Sequence, residues 1–484
     1  MKKTEERGVT VGTLLSYGVG DVYGGGSFLI IGMMFLFYLT EVAGLSPAAA
    51  GFVFAIGKVW DAISDPLMGY LSDITRSKHG RRRVYFLIGI VPIFVSFLLL
   101  WLPVNLGSQA AVFAYYSFAY ILFSTVFTMV MIPYAALNAE MTVDFKVRSR
   151  LSASRMIFSG VSALLAGTIP SMIIGKYPAG SSSGYITMAI IFGVLYALPW
   201  LLVYFGTWEL PYEKRERESS ALAIFSQFAT ILKNSSFRVH VGMYIAAYTA
   251  SDILMALFVY FLTYYLQKPE LYPVAMGSLM IVQIAMMPVY TMISNKRGKG
   301  VAFVIGMTLF ALGLMSSFLF LSPSSSTVVI ALVCALIGTG TSAAILIPWA
   351  ILPSVIDVDQ LITGKKRSGI YSGAMTLIRK MVQGLIAMPL IGFVLTQIGF
   401  VSNEVQSVET LEALRLFFLL GPITLVIIGV FLGLQFKITP KRHAVIVQEM
   451  RRLDDGGSRD EVDAEVRKTC EMLTGFPYEE LYQI

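Results

Sequence analysis

The chain has 484 residues, of which 56% are hydrophobic and 14% charged, with net charge +7 and mean hydropathy +0.71. Soluble globular domains carry about 25% charged residues, so these figures exclude an ordinary soluble domain. The basic residues fall in short clusters between long apolar runs, which reads as orientation in a membrane and not as nucleic-acid binding.

Apolar runs of about 20 residues, the length that crosses a bilayer as a helix, occur twelve times. They lie at roughly 11–40, 46–72, 84–103, 109–136, 150–175, 184–207, 238–266, 272–294, 300–321, 326–356, 368–398 and 411–436. The start, MKKTEERG, leads into an apolar span too long for a cleaved signal peptide. Basic residues mark the N-terminus (Lys2, Lys3, Arg7), the loop after span two (Arg76, Lys78, Arg81, Arg82, Arg83) and the loop after span four (Lys146, Arg148, Arg150). They recur after span six (Lys214, Arg215, Arg217), span eight (Lys296, Arg297, Lys299), span ten (Lys365, Lys366, Arg367) and span twelve (Lys437, Lys441, Arg442). Alternate loops hold few, chiefly Lys176, Lys268 and Arg415. The positive-inside rule therefore predicts an integral plasma (inner) membrane protein with both termini in the cytoplasm.

A connector at 208–237 divides the spans six and six. This predicts an N-terminal half at 1–207, a C-terminal half at 238–436 and a cytoplasmic tail at 437–484. Pro66 is followed by Asp73 and Gly80-Arg-Arg-Arg83; Pro288 is followed by Asn295 and Lys296-Arg-Gly-Lys299. That matched turn points to an internal repeat. The expected fold class is an all-α polytopic membrane protein with twelve transmembrane helices in two six-helix halves, the major facilitator architecture. Gly69-Tyr-Leu-Ser-Asp73 with Gly80-Arg-Arg-Arg83 resembles that superfamily's loop between spans two and three. In the tail, the pieces around Val445–Leu453 and Val462–Leu473 read as two amphipathic helices under the cytoplasmic face.

Within the spans, ionisable residues are functional candidates because they are costly at membrane depth. Asp61 and Asp65 are one helical turn apart and share a face of span two. Two adjacent carboxylates repel, so the pair calls for something positive between them: a metal cation, a proton or a basic side chain. Lys58, three residues before Asp61, is a local candidate for that partner. Asp21, Glu140, Arg155, Asp252 and Lys380 complete the set. Asp252 reads as a lone acid in its half, and Lys380 as a lysine deep enough to need a carboxylate. Tyr17, Tyr23, Tyr134, Asn138, Trp349, Tyr371 and Gln383 read as aromatic and polar residues facing a cavity. Cys334 and Cys470 show no metal or disulfide spacing. His79, His240 and His443 are not placed for acid–base work, no Ser-His-Asp grouping is visible, and no enzyme is expected.

Leu15-Ser-Tyr-Gly18, Tyr38-Leu-Thr-Glu-Val-Ala-Gly-Leu-Ser46, Trp60-Asp-Ala-Ile-Ser-Asp-Pro66 and Thr75-Arg-Ser-Lys-His-Gly80 resemble the glycoside–pentoside–hexuronide:cation symporters, the group that includes melibiose permease. Ile132-Pro-Tyr134, Arg155 and the Lys380 segment continue the likeness through span eleven. The resemblance implies that Asp61 and Asp65 bind the coupling cation, with Thr128 a further candidate ligand and Lys380 facing the site. It implies that Arg155 is a cavity gate residue and that Trp349 is an aromatic platform. Asp73, Arg81, Glu140 and Arg155 are the gating candidates, with Glu140 and Arg155 near the cytoplasmic ends of their spans, where snorkelling is the alternative. In the sugar-binding relatives two further aspartates grip hydroxyls; their places fall here on Gly25 and Met131, with Asp21 and Tyr23 close by in span one.

The function expected is cation-coupled symport, with Na+ or H+, of a sugar, glycoside or related small solute by alternating access. A lysolipid or other non-sugar substrate, and uncoupled facilitation, are the alternatives. The expected partners are the small-molecule substrate, the coupling cation and the bilayer. No cofactor beyond the transported cation is expected, and no nucleic acid; a monomer is expected.

Overall fold

A computed structural model describes residues 8–142, 144–178, 180–210 and 230–482. Lys2, Lys3, Arg7, Lys214, Arg215, Arg217 and most of the 208–237 connector lie outside the described residues. Regular structure among the described residues is helical throughout. In hydrocarbon no water is present to satisfy backbone polar groups, so a spanning segment must bond internally.

The helices in chain order are α1 (Val11–Glu41), α2 (Pro47–Ile74), α3 (Arg83–Leu100), α4 (Gln109–Met141), α5 (Phe145–Ile174) and α6 (Ser182–Gly206). They continue with α7 (Ser235–Tyr265), α8 (Pro269–Arg297), α9 (Lys299–Phe320), α10 (Thr327–Thr363), α11 (Ser368–Gln397) and α12 (Val408–Gln435). Two short tail helices follow, α13 (Pro440–Asp454) and α14 (Ala464–Thr474). Length and apolarity alone qualify eleven of the twelve long helices α1–α12 as membrane spans. The exception is α2, because Lys58, Asp61, Asp65 and Asp73 interrupt its apolar run. Its 28 residues still reach about 42 Å at ~1.5 Å per residue, enough to cross a bilayer.

Polar residues set the ends. Ser46, Ser108 and Ser326 cap α2, α4 and α10, each accepting a backbone N–H from three residues on. Two boundaries fall well outside the apolar runs. α5 starts at Phe145, where Asp144 accepts from the Lys146 and Val147 amides. α10 runs past Asp357 and Asp359 to Gly364, whose φ of +67° ends it in the left-handed region. Hydropathy stops where charge begins, whereas a helix stops only at a breaker.

The internal repeat is visible in backbone detail. Gly80 before α3 and Gly298 before α9 have φ of +97° and +96°, a conformation that favours glycine. α1 and α7 each contain one π turn, at Ile31–Phe35 and Phe261–Tyr265, and α11 holds a third at Gln383–Ala387.

The chain forms two compact units that do not follow chain order. Unit 1 comprises residues 1–216, 255–277 and 384–414; unit 2 comprises 217–254, 278–383 and 415–484. Large apolar side chains such as Val91, Met156, Phe205, Phe320 and Leu434 are exposed, as expected where the solvent is lipid.

In unit 2 the tail packs as two helices held by a buried carboxylate. Glu449 accepts from Arg452 Nε at 2.9 Å and Nη2 at 2.8 Å, and from the Tyr478 hydroxyl. Burial opposes ionisation of Glu449, yet the Arg452 and Tyr478 hydrogen bonds hold its pKa below the usual carboxylate value. The chain then returns to α10, where the Tyr482 amide donates to Leu361 O at 2.9 Å, and Ser236 Oγ in α7 donates to Leu473 O at 2.6 Å.

Candidate substrate and cation sites

Unit 1 contains the span-two acids. Asp61 is almost wholly buried and lies 3.3 Å from Lys58 Nζ, one turn back on α2. The Lys58 ammonium also sits 4.0 Å from the centroid of the Phe28 ring, a cation–π contact that suits a desolvated cation. Gly384 makes room for the lysine stem: a Cβ there would collide with Lys58 Cβ and Cγ. One turn on, Asp65 accepts from Thr128 Oγ1 of α4 at 2.7 Å. The site thus combines two carboxylates and a hydroxyl, an all-oxygen set of the kind hard cations take. Among the described residues no group of three or more His, Cys, Asp or Glu is placed to hold a metal ion.

Asp21 of α1 meets Arg155 of α5, with Nη2 to Oδ1 at 3.1 Å, and the guanidinium lies 4.6 Å from the centroid of the Tyr134 ring. Tyr17 and Tyr134 tie α1 to α4: Tyr134 OH donates to Tyr17 O at 2.5 Å and their rings lie 4.8 Å apart. Met131 is brought to this place, since a Cβ on Gly24 would lie 2.6 Å from Met131 Cε and 2.5 Å from Asp21 Oδ1. Gly25 and Tyr23 are not. A Cβ at Gly25 would meet the Ser159 backbone oxygen at 2.6 Å, so position 25 is where α1 and α5 touch and leaves no space for a substrate-facing side chain. Tyr23 is 1% exposed and packs among Phe123, Phe127, Tyr196 and Trp200.

The basic loop before α3 is held by an ion network in which Arg82 is the hub. Arg82 bonds Ser72 and Asp73, and reaches Glu140 at 3.1 Å; Arg81 reaches the same Glu140 oxygen at 2.5 Å. Glu209 accepts the backbone amides of Arg81, Arg82 and Arg83, each at 2.8 Å, satisfying donors at the α3 start. Sequence reading singled out Asp73, Arg81 and Glu140, which the structure does bring together. It missed Arg82, one of three consecutive arginines, and Glu209, which is distant in sequence.

A further unit 1 cluster was also missed. The Glu41 carboxylate accepts from the Asn403 amide at 2.9 Å and from the Tyr264 hydroxyl, while Asn403 Nδ2 donates to Glu41 O at 2.6 Å. Thr40 and Tyr260 share a hydrogen bond of 2.8 Å beside it.

In unit 2, Asp252 has a basic partner. Arg379 Nη2 lies 3.4 Å from Asp252 Oδ1, and its guanidinium sits 4.3 Å from the centroid of the Tyr248 ring. Trp349 Nε1 donates to Tyr248 OH at 2.9 Å, leaving Trp349 40% exposed. Lys380, the neighbour of Arg379, belongs to unit 2, whereas Asp61 and Asp65 belong to unit 1. Tyr371, expected to face a cavity, is fully buried and accepts from Asn234 Nδ2 at 3.2 Å, a packing role.

A model of the MFS/sugar transport protein family matches residues 16–440. A putative glycoside/cation symporter of Escherichia coli K12, YagG, is 26% identical, covering 91% of this chain and 95% of its own length. The sodium-dependent lysophosphatidylcholine symporter 1-A of Danio rerio is 22% identical over 91% of this chain and 88% of its own. The fold is similar to that of the Escherichia coli xylose transporter XylE, with TM-score 0.58 and 15% identity over 88% of this chain and 94% of that one.

Proposed function

The chain belongs to the MFS/sugar transport protein family, and from that premise we propose that it is a cation-coupled symporter whose cation site is Asp61, Asp65 and Thr128. It is an integral membrane protein, and the basic loops favour both termini on the cytoplasmic side of the plasma membrane. The substrate class favoured is a sugar, glycoside or related small solute, carried by a monomer.

The observation that carries this reading is Thr128 Oγ1 at 2.7 Å from Asp65, one turn along from the buried Asp61. A Na+ ion or a proton arriving there supplies the positive charge that the two acids require. Lys58 already supplies Asp61 with one positive charge at 3.3 Å, and the arriving cation adds a second to the site. Coupling follows if the loaded and unloaded states differ in how readily the carrier reorients, because a ligand shifts an equilibrium only by its differential affinity. Asp21 with Arg155 serves in this reading as part of the substrate site.

The Lys58–Asp61 pair also favours a second reading, uncoupled facilitation, in which a resident ammonium takes the place of the cation. Uptake into proteoliposomes under a sodium or proton gradient separates the two. The symporter accumulates solute, an ionophore collapses the accumulation, and Asp61→Asn and Asp65→Asn abolish it while sparing counterflow exchange. Undiminished accumulation in both variants overturns the cation assignment; a wild type that never exceeds equilibrium supports the facilitator.

A further inference from the structure

In unit 1 the helix that carries the acid pair is registered against α4 by three successive contacts. A Cβ on Gly57 would collide with the Tyr120 ring, so α2 and α4 touch there. Trp60 Nε1 donates to Thr125 Oγ1 at 2.7 Å. Further along, Thr128 Oγ1 donates to Asp65 Oδ1 at 2.7 Å. From Gly57 to Asp65 and from Tyr120 to Thr128 each helix advances by the same number of residues, about 12 Å at ~1.5 Å per residue. The two helices therefore run side by side without slip, and the indole bond lies within that stretch.

We propose that Trp60 and Thr125 are positioning residues for the cation site: their bond holds Thr128 where it meets Asp65, and so sets the affinity for the coupling cation. This rests on the symporter reading above. An indole N–H donates only, and Thr125 sends its own proton to Ile121 O at 2.7 Å. The direction of the Thr125 hydroxyl is thereby fixed, and it meets Trp60 with a lone pair. The bond cannot reverse its polarity, as a pair of hydroxyls could. Thr125 precedes Thr128 by about 4.5 Å along the α4 axis, and Trp60 adjoins Asp61. Fixing residue 125 against residue 60 therefore leaves Thr128 little freedom to move away from Asp65.

Neither residue is itself a cation contact. Trp60 offers no acceptor atom, and Thr125 Oγ1 already has both a donor and an acceptor partner. Their effect reaches the cation through Thr128 and Asp65, in the way that groups behind a metal ligand tune its affinity by orienting it. In hydrocarbon no water replaces a lost partner, so removing the Thr125 hydroxyl strands the indole N–H.

The test follows the thermal midpoint of the purified full chain in nanodiscs as sodium is raised at alkaline pH, and as pH is lowered without sodium. The response counted is the part that Asp65→Asn removes. Trp60→Phe keeps an aromatic ring and removes the donor, Thr125→Val removes the acceptor, and Thr125→Ser keeps the hydroxyl. The cation concentration at half response should rise about tenfold in Trp60→Phe and in Thr125→Val, the loss typical of removing a group that orients a ligand. The double variant should lose no more than either single one, because the pair acts as one bond. Thr125→Ser should respond like wild type. The midpoint without cation should move little in Trp60→Phe, a result that general destabilisation would not give. A half-response concentration unchanged in Trp60→Phe overturns the positioning role and leaves the symporter reading standing. Losses that add in the double variant overturn it as well. A wild type without any response that Asp65→Asn removes overturns the symporter reading, and the positioning role falls with it. Trp60→Phe strands no donor, so it decides the matter even where Thr125→Val fails to fold.

Discussion

Lys58 holds its ammonium 3.3 Å from the Asp61 carboxylate, three residues along the same helix, with both side chains at most 4% exposed. Two charges this deeply buried depend on each other: the attraction offsets desolvation only while both are present. Along the same helix the Thr128 hydroxyl donates to Asp65 at 2.7 Å.

Removing the lysine should expose that dependence. Lys58→Met leaves Asp61 without its ammonium and is expected to cost about 3–5 kcal/mol, the range for breaking a buried pair. Thermal unfolding in nanodiscs checks it, and sodium should raise the midpoint of the variant more than that of wild type. Lys58→Met/Asp61→Asn should recover most of the loss; no recovery would point to packing instead of charge.

Gly384 is expected to be as sensitive as the charges it accommodates. A methyl group at this position meets the lysine stem, which has little freedom so close to the backbone. Gly384→Ala should destabilise by about 1–3 kcal/mol, as overpacking of a filled core does. In a Lys58→Ala background the same change should cost markedly less, a coupling that a double-mutant cycle measures.

Among the three consecutive arginines, Arg82 should matter more than Arg81. Arg82 is 6% exposed and joins Ser72, Asp73 and Glu140, whereas Arg81 is 17% exposed and bonds Glu140 together with the Asp73 carbonyl. Lysine lacks the planar fork that makes several bonds at once. Initial uptake should fall about tenfold in Arg82→Lys and about twofold in Arg81→Lys; equal effects would contradict the hub assignment.

Glu41 ties the end of α1 to residue 403 through a charge-assisted bond, roughly twice as strong as a neutral one. Glu41→Gln keeps an acceptor but not the charge. Hydrogen exchange at the Asn403 amide should accelerate about tenfold, with the exchange of the α4 core unchanged.

The tail should respond to acid. Glu449 has a folded pKa below its ordinary 4.5, so its stabilising contribution is present above that value and is lost as pH falls through the lowered one. Hydrogen exchange over residues 440–482 should therefore show full protection at neutral pH and loss of protection in the acid range below 4.5. Glu449→Gln should show reduced protection at neutral pH and little further change on acidification.

Much of this molecule is legible in its residues. Hydropathy marks eleven spans and the alternation of basic loops adds the twelfth, α2, because the cost of bare backbone and charge in hydrocarbon acts on every residue locally. The same rule marks Asp61 and Asp65 as anomalous, and the repeated turn, with Asp73 in one copy and Asn295 in the other, falls where Gly80 and Gly298 share a positive φ. Pairing is less legible. Asp252 looks solitary in sequence because its partner Arg379 is 127 residues away. Arg379 itself is hidden beside Lys380, which draws attention through the family likeness.

Gly25 illustrates the limit most directly. Counting from a motif makes it a lost substrate ligand, but the backbone of α5 leaves no room for a side chain there. Sequence by itself determined the solvent, the helices, the repeat and the presence of charges that demand partners, since these follow from composition and spacing along one chain. The Lys58–Asp61 pair is local and legible in spacing, whereas only the tertiary structure decided which distant groups meet: Thr128 with Asp65, Arg155 with Asp21 and Arg379 with Asp252. Such pairings depend on helix packing at ångström precision, and that is settled by side chains far apart in the chain filling one another's gaps.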